Sequence, residues 1–171
     1  MKNIFSFDCE TNGLYGECFA VGAVVLNNIS LILDKFSGIA QIEDVDNDWV
    51  IQNVIPNLDG LQKYPTCKQM RNAFWDFWMK HKDSCICIAD FGVPVESGFF
   101  KQCVLDDLDN RQWNAPCPLH EVETLLILKG VKPDTNRIKY SEINPNTVKQ
   151  HNPLDDAYVS GLCWIKAMEV K

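Results

Sequence analysis

The sequence predicts an α/β fold in which a mixed central sheet is flanked by helices. Three strand-like segments open the chain, and a further apolar strand is followed by alternating helix and strand patterns up to the C terminus. A chain that begins with consecutive strands and then alternates strands with helices is typical of an α/β layer fold with a mixed sheet. With 171 residues and 46% hydrophobic content the chain can bury one core, so we expect a single domain over residues 1–171.

The opening strands read NIFSFDC, FAVGAVVLN and SLILDKFS. Asn27-Asn28, between the second and the third, is typical of a hairpin turn. We therefore expect an antiparallel meander. The first strand should be central, with its carboxylates facing a layer of helices.

A short and a long helix are predicted next. In DNDWVIQNVIPNL, Asp48 is expected to cap a helix that turns Trp49, Val50 and Val54 inward before Pro56 ends it. In TCKQMRNAFWDFWMKHK, apolar residues recur at i, i+4, i+7 and i+8, which predicts a helix with one face in the core. That face carries Met70, Phe74, Phe77 and Trp78, and the other faces carry Lys68, Arg71, Asp76 and Lys80.

The second half alternates strands and helices. The apolar strand SCICIAD leads into a helix in which Pro94 suits the first position and Glu96 the opening turn. A short strand and a helix ended by Gly130 follow, and the polar stretch 131–150 reads as a loop. The last helix begins after Asn152, its expected cap.

Composition excludes several classes of protein. The chain has eight cysteines, but those in apolar patterns read as reduced, buried thiols, and no convincing zinc spacing is present. No apolar run is long enough for a signal peptide or a membrane span, so we expect a cytoplasmic protein without membrane contact. A net charge of −7 argues against a protein that coats nucleic acid with cations, although bound metal can supply positive charge.

Carboxylates stand at the edges of three apolar elements, where burial without a partner would be costly. Side chains two apart on a strand point the same way, so Asp8 and Glu10 lie about 6 to 7 Å apart along the first strand. Carboxylates converging from several elements are what a site for two Mg²⁺ or Mn²⁺ ions needs. The other candidates are Asp90 and Glu96 after the SCICIA strand, and Asp155 and Asp156 in the last helix.

His151 precedes Asp156 by five residues, across the start of the last helix. A histidine placed there can accept a proton from a metal-bound water. The alternative is a loop residue that caps the helix. His81 and His120 lie among ordinary charged or loop residues, and we assign them no role.

Together, FDCETNGL, IADFGVPVESGFF and HNPLDDA resemble the motifs of the DEDDh group of 3′-to-5′ exonucleases, which have a ribonuclease H-like fold. The opening pattern Asp-x-Glu-Thr-x-Gly-Leu and the closing pattern of His with an Asp five positions later, then Ala, are both present, and the likeness spans almost the whole chain. The residues that match are Asp8, Glu10, Thr11, Gly13, Leu14, His151, Asp156 and Ala157.

The middle motif departs from the family pattern, because Glu96 stands where an aspartate is usual. Asp90, at the end of the strand, is the competing candidate. We favour Glu96, since the first turn of a helix is where the family's acid lies and glutamate is an adequate metal ligand.

The resemblance implies a two-metal 3′-to-5′ exonuclease that releases nucleoside 5′-monophosphates from single-stranded nucleic acid with a free 3′ end. Asp8, Glu10, Glu96 (or Asp90) and Asp156 would hold the ions, and His151 would be the general base. The strip of Thr11, Asn12, Gly13 and Leu14 would hold the terminal nucleotide. Tyr15 and Phe91 are either stacking partners or, as we favour, packing residues; Lys132, Arg137, Lys139 and Lys149 are either phosphate contacts or solvated loop residues.

The stretch WVIQNVIPNL is similar to one in small bacterial exoribonucleases of the RNase AS type, which favours RNA over DNA. A phosphodiesterase of dinucleotides, a non-catalytic binding relative and a DNA-proofreading partner remain alternatives. The oligomeric state is left open, a homodimer included.

Overall fold

The computed structural model describes residues 2–169, so residues 1, 170 and 171 of the predicted domain lie outside its description. Its strands are β1 (Asn3–Thr11), β2 (Cys18–Leu26), β3 (Ile32–Ile39), β4 (Cys85–Ala89) and β5 (His120–Glu121). They form one sheet in the order β3-β2-β1-β4-β5. Because β1 pairs antiparallel with β2 and parallel with β4, the sheet is mixed and β1 is central, as predicted.

Helices cover both faces of this sheet. Those in the described part of the chain are α1 (Asp48–Asn53), α2 (Cys67–His81), α3 (Ser97–Leu105), α4 (Leu108–Arg111), α5 (Val122–Leu128), α6 (Arg137–Ser141) and α7 (Pro153–Glu169). One core layer lies between the sheet and α2 and α3, and a second lies between the sheet and α5 and α7. The predicted α/β class is therefore confirmed.

Alternation along β1 sends its aromatic side chains to one face and its carboxylates to the other. On the α2 face, the Phe74 ring centroid lies 5.9 Å from that of Phe5 and 5.7 Å from that of Phe7. The aromatic stripe of α2 is thus core packing, as predicted. Asp8 points to the opposite face, where α7 packs.

The turn between β2 and β3 is longer than the predicted hairpin. It comprises residues 27–31, and the Asn27 side chain accepts hydrogen bonds from the backbone N–H groups of Ile29 and Leu31 at 3.1 and 2.9 Å. The side-chain acceptor replaces backbone bonds that a two-residue turn would have made.

Two predictions for α1 are wrong. Asn47, and not Asp48, caps the helix, since its side chain accepts from the N–H groups of Trp49 and Val50. Val50 and Val54 are buried, but the Trp49 side chain is turned outward and is 56% exposed. Its position becomes informative at the site described below.

Arg71, predicted to lie outside the apolar face of α2, is buried. Its guanidinium pairs with Glu17 and, at 2.6 Å, with Asp106 on either side. Paired carboxylates compensate the desolvation of a buried cation, which a helical pattern alone does not reveal.

Two segments of the second half are more structured than predicted. The stretch 131–150, read as a loop, contains α6 and a short 3₁₀ turn at Pro145–Thr147. Pro94 does not open α3; it lies inside an irregular helical turn at Gly92–Glu96, and the regular helix begins at Ser97.

The eight cysteines all lie within residues 2–169 and none forms a disulfide there; all but Cys117 are buried, as expected for reduced thiols. Across the same residues, every helix is too short or too polar to cross a membrane.

Candidate active site

Four of the predicted carboxylates and the predicted histidine are among the residues that line one cavity of about 490 Å³ beside the end of β1. Three different elements supply the acids: β1, the turn before α3 and the first turn of α7. The cavity thereby brings together residues that are far apart in the chain. They are Asp8, Glu10, Glu96, Asp156 and His151.

Gly22 explains how α7 reaches Asp8. It is the cross-strand partner of Asp8 on β2, on the face where α7 packs. A Cβ atom at Gly22 would lie 2.2 Å from the backbone nitrogen of Leu154 and 2.3 Å from the carbonyl carbon of Pro153. Only glycine lets the start of α7 lie directly on the sheet at this point. The close approach brings Asp156 to the β1 carboxylates.

The two candidates for the third acid differ in their neighbours. Glu96 is 7% exposed and contributes to the raised pKa of Asp8. Asp90 also lines the cavity, but its Oδ1 accepts a hydrogen bond of 2.7 Å from Nε of Arg137, which also pairs with Glu123. Asp90 thus shares a protein cation with Glu123, whereas burial and then the charges of Asp90 and Glu121 raise the pKa of Glu96.

Burial and mutual repulsion raise the pKa values of these acids. Desolvation raises the pKa of Asp8 well above its usual range, and the charges of Asp156, Glu96 and Glu10 raise it further. The same causes raise the pKa of Glu10 to about 8. Burial raises the pKa values of Glu96 and Asp156 to about 7. A set of acids that repel one another in a partly dry cavity is what bound cations would stabilise.

His151 is held at the cavity by its backbone as well as by its ring. Its φ of 63° is left-handed, and its N–H donates a 2.7 Å hydrogen bond to Oδ2 of Asp156. Its Nδ1 lies 4.0 Å from Oε1 of Glu10. The ring also packs edge-on against Trp49, with centroids 5.4 Å apart.

The donor set fits a hard divalent cation. Ligand atoms of Glu10, His151 and Asp156 lie within 4.8 Å of one another. Carboxylate oxygens are the ligands that Mg²⁺ and Mn²⁺ prefer. Asp8, on β1, and Glu96, in the turn before α3, line the same cavity and offer further carboxylate oxygens.

The predicted substrate strip borders a second cavity, of about 200 Å³. Thr11 and Leu14 line the second cavity, and Gly13 has a φ of 76° that favours glycine in the turn after β1. Asn12 does not face the ligand space through its side chain. Its Oδ1 accepts from the backbone N–H groups at positions 46 and 47, at 3.3 and 3.1 Å.

The aromatic residues near the strip are not packing residues. Tyr15 is 85% exposed and lines the second cavity. Phe91 is half exposed at the rim of the acidic cavity, with the guanidinium of Arg137 5.6 Å from its ring centroid. The packing interpretation favoured from the sequence is therefore wrong for both residues.

Two cations of the stretch 131–150 are engaged within the protein. Arg137 makes the ion pairs described above, and Lys149 pairs with Asp59 at 2.6 Å. Arg137 is consequently neither a solvated loop residue nor a free phosphate contact. The paired acids lie far from Arg137 in sequence, so no local signal marked its role.

Trp49 was missed as a site residue. Its sequence pattern indicated an inward-facing helix residue, and only the fold brings its ring to His151. The similarity of WVIQNVIPNL to known exoribonucleases was the signal that could have pointed to it.

The mixed five-stranded sheet with helices on both faces is a ribonuclease H-like α/β fold, as predicted. A solved structure of this kind is the nuclease domain of 3′hExo, a DEDDh family member, determined bound to rAMP. It is 17% identical, the match covers 98% of this chain and 90% of that chain, and the TM-score is 0.52. At this identity the likeness shows the fold. No model of a known protein family matches the chain, and no curated protein matches its sequence.

Proposed function

We propose that this protein is a metal-dependent 3′-to-5′ exonuclease that hydrolyses single-stranded nucleic acid, RNA in preference to DNA, to nucleoside 5′-monophosphates. The observation that carries the proposal is the convergence of Asp8, Glu10, Glu96 and Asp156 with His151 in one cavity. A structural core would avoid such a set, because unpaired buried carboxylates cost several kcal/mol each or take up protons.

The residues that would hold two Mg²⁺ or Mn²⁺ ions are Asp8, Glu10, Glu96 and Asp156. Such ions, when bound, supply a nucleophilic hydroxide near neutral pH and neutralise charge on the phosphate. His151, beside Glu10 and one-third exposed to solvent, accepts the proton of the attacking water through its imidazole. The hydrogen bond from its backbone to Asp156 ties the base to the acidic group.

The turn after β1 would receive the 3′-terminal nucleotide. Leu14 and Tyr15 are exposed beside the second cavity, where an apolar contact and a ring face can meet a base. The rAMP bound to the 3′hExo nuclease domain agrees with a nucleotide ligand in a fold of this kind. The preference for RNA rests on the WVIQNVIPNL stretch.

Short substrates form the second candidate class, as for a phosphodiesterase of dinucleotides. The net charge of −7 and the engagement of Arg137 and Lys149 in internal ion pairs favour it, since a long backbone track needs cations that are available to phosphates. In this class the same acids and the same base would act.

One assay tests both candidates. Matched RNA and DNA 10-mers, labelled at the 5′ or the 3′ end, are incubated with Mn²⁺ beside a labelled dinucleotide. We expect monophosphates to be released first from the 3′ end of RNA, and Asp8→Ala to abolish release while its circular dichroism spectrum is unchanged. Full activity of Asp8→Ala would overturn the proposal, and cleavage of the dinucleotide alone would select the second class.

A further inference from the structure

The segment between β3 and α2 connects two parts of the candidate site that have no sequence proximity. We define residues 46–59 as the bridge segment; it contains α1. One end of it is attached to the turn after β1, and its other end is attached to the turn that carries His151. The bridge segment thus links the end of β1, the strand of Asp8 and Glu10, to the turn that carries His151.

Asn12 makes the first attachment. Its Oδ1 accepts the backbone N–H groups of Asp46 and Asn47, and its Nδ2 donates to Oδ1 of Asp46 at 2.8 Å. All the polar atoms of the Asn12 side chain are therefore used within the protein. Asn47 in turn caps α1 through Trp49 and Val50. The side chain next to the acids of β1 consequently sets the start of α1.

The second attachment joins the bridge segment to the histidine turn. Nδ2 of Asn152 donates to the carbonyl oxygen of Asn57 at 2.9 Å, and Lys149 pairs with Asp59 at 2.6 Å. Asn152 is buried, so its hydrogen bond is shielded from water. Residues on both sides of His151 are thus fastened to the bridge segment.

The ring contact completes the arrangement. Trp49 meets the imidazole of His151 edge-on, with an interplanar angle of 86°. His151 has a left-handed backbone, which costs a non-glycine residue about 1 kcal/mol or more and persists only where the surroundings hold it. Its side chain is also one-third exposed, so few neighbours restrict its rotamer. The Trp49 ring, packed against one side of the imidazole, reduces the number of rotamers that the His151 side chain can adopt.

We infer that Trp49 and Asn12 are positioning residues for His151. Asn12 fixes the bridge segment, and the bridge segment holds the Trp49 ring against the imidazole. The imidazole, as the general base, is thereby oriented towards the acidic cavity. This inference rests on the proposed function. Asn12, predicted from the sequence to bind the substrate, would instead support the general base His151. An effect on the chemical step is expected, because misplacing a catalytic group by about 1 Å can cost 10²-fold in rate.

The alternative role for Trp49 is stacking on a nucleobase of the substrate. A double-mutant cycle distinguishes this role from the positioning of His151. Single variants Trp49→Ala and His151→Ala and the double variant are assayed on the RNA 10-mer. We expect Trp49→Ala to lower kcat about 10-fold with little change in KM, Trp49→Phe to recover most of that loss, and Trp49→Ala to add nothing in the His151→Ala background. Trp113→Ala, at an 87% exposed tryptophan elsewhere, is the matched control and should keep wild-type kinetics.

A raised KM with unchanged kcat, or an equal loss from Trp49→Ala in both backgrounds, would overturn the inference in favour of stacking. Asn12→Ala should reproduce the kcat loss and be non-additive with Trp49→Ala. Full activity of Asn12→Ala would show that the bridge segment does not position His151.

A spectroscopic readout keeps the inference testable if the protein proves not to be a nuclease. The imidazole C–H resonances of His151 should be shifted by the Trp49 ring current in the wild type. Both Trp49→Ala and Asn12→Ala should move them, whereas Trp113→Ala should not. Unchanged His151 resonances in Asn12→Ala would overturn the positioning role whatever the activity, and absence of nuclease activity with shifted resonances would overturn only the proposed function.

Discussion

Arg137 donates a 2.7 Å hydrogen bond from Nε to Oδ1 of Asp90, and this contact gives Asp90 a protein cation as its partner. Both side chains are largely buried, and Glu123 accepts from Nη2 of the same guanidinium. The ion pair also fastens α6, and with it the stretch 131–150, to the end of β4. A carboxylate with a protein cation as its partner has less to gain from a metal than one surrounded by acids.

The first prediction follows from this contact. Glu96→Gln should lower nuclease activity by more than about 100-fold, since even the loss of a group that only supports a metal ligand costs about 10- to 100-fold. Asp90→Asn should keep most of the activity but lower the free energy of unfolding by about 1–3 kcal/mol, because it weakens a buried charged hydrogen bond. The measurements are initial rates and urea unfolding, with Asp83→Asn at an exposed carboxylate as control. The reverse pattern would make Asp90 the third acid.

The second prediction concerns stability and pH without metal. The folded-state pKa values of Glu10, Glu96 and Asp156 are raised to about 8, 7 and 7, above the unfolded values of about 4. Between those limits the folded state binds more protons than the unfolded state, so the contribution of these acids to stability falls as the pH rises from about 4 to 8. In EDTA, Glu10→Gln should therefore raise Tm at pH 8 and change it little at pH 5.

Added Mn²⁺ should offset the loss of stability that these acids cause at high pH. It should raise Tm of the wild type more at pH 8 than at pH 5.5, because the acids must lose their protons to bind it. Asp83→Asn should respond as the wild type does. A Mn²⁺ shift that is independent of pH, or as large in Glu10→Gln, would contradict the assignment of these acids as ligands.

The third prediction concerns Gly22. An alanine Cβ would lie 2.2 Å from the backbone nitrogen of Leu154, so α7 must move away from the sheet. Gly22→Ala should lower the free energy of unfolding by about 1–3 kcal/mol, the usual cost of overpacking, and should lower activity by displacing Asp156. Gly98→Ala, where no heavy atom lies within 4 Å of the added Cβ, is the matched control for unfolding. Thermal unfolding and the RNA assay measure both effects.

The fourth prediction separates the base from the ligands. His151→Ala should lower kcat about 10²- to 10⁴-fold, the usual contribution of a general base. Calorimetric titration with Mn²⁺ should give nearly wild-type affinity if His151 acts on the water alone. A large loss of Mn²⁺ affinity would instead make His151 a ligand, which the proximity of its ring to Glu10 and Asp156 also permits.

Much of the architecture could be predicted because its signals are local. The alternation of Phe5, Phe7 and Asp8 along one strand predicted both the core face and the acidic face of β1. The helical spacing of Phe74 and its neighbours predicted the packing of α2. In the candidate site, the motif resemblance supplied the acids and His151 without any knowledge of their distances.

Only the tertiary structure decided which polar groups already have partners. Asp90 and Glu96 look alike in the sequence, and Arg137, distant along the chain, distinguishes them. Asn12 resembles a ligand residue until its bonds to the bridge segment are seen, and Trp49 resembles a core residue until its ring is found at His151. Periodicity reports which face of an element is apolar, but hydrogen bonds and ion pairs between elements depend on distances that only the folded chain sets.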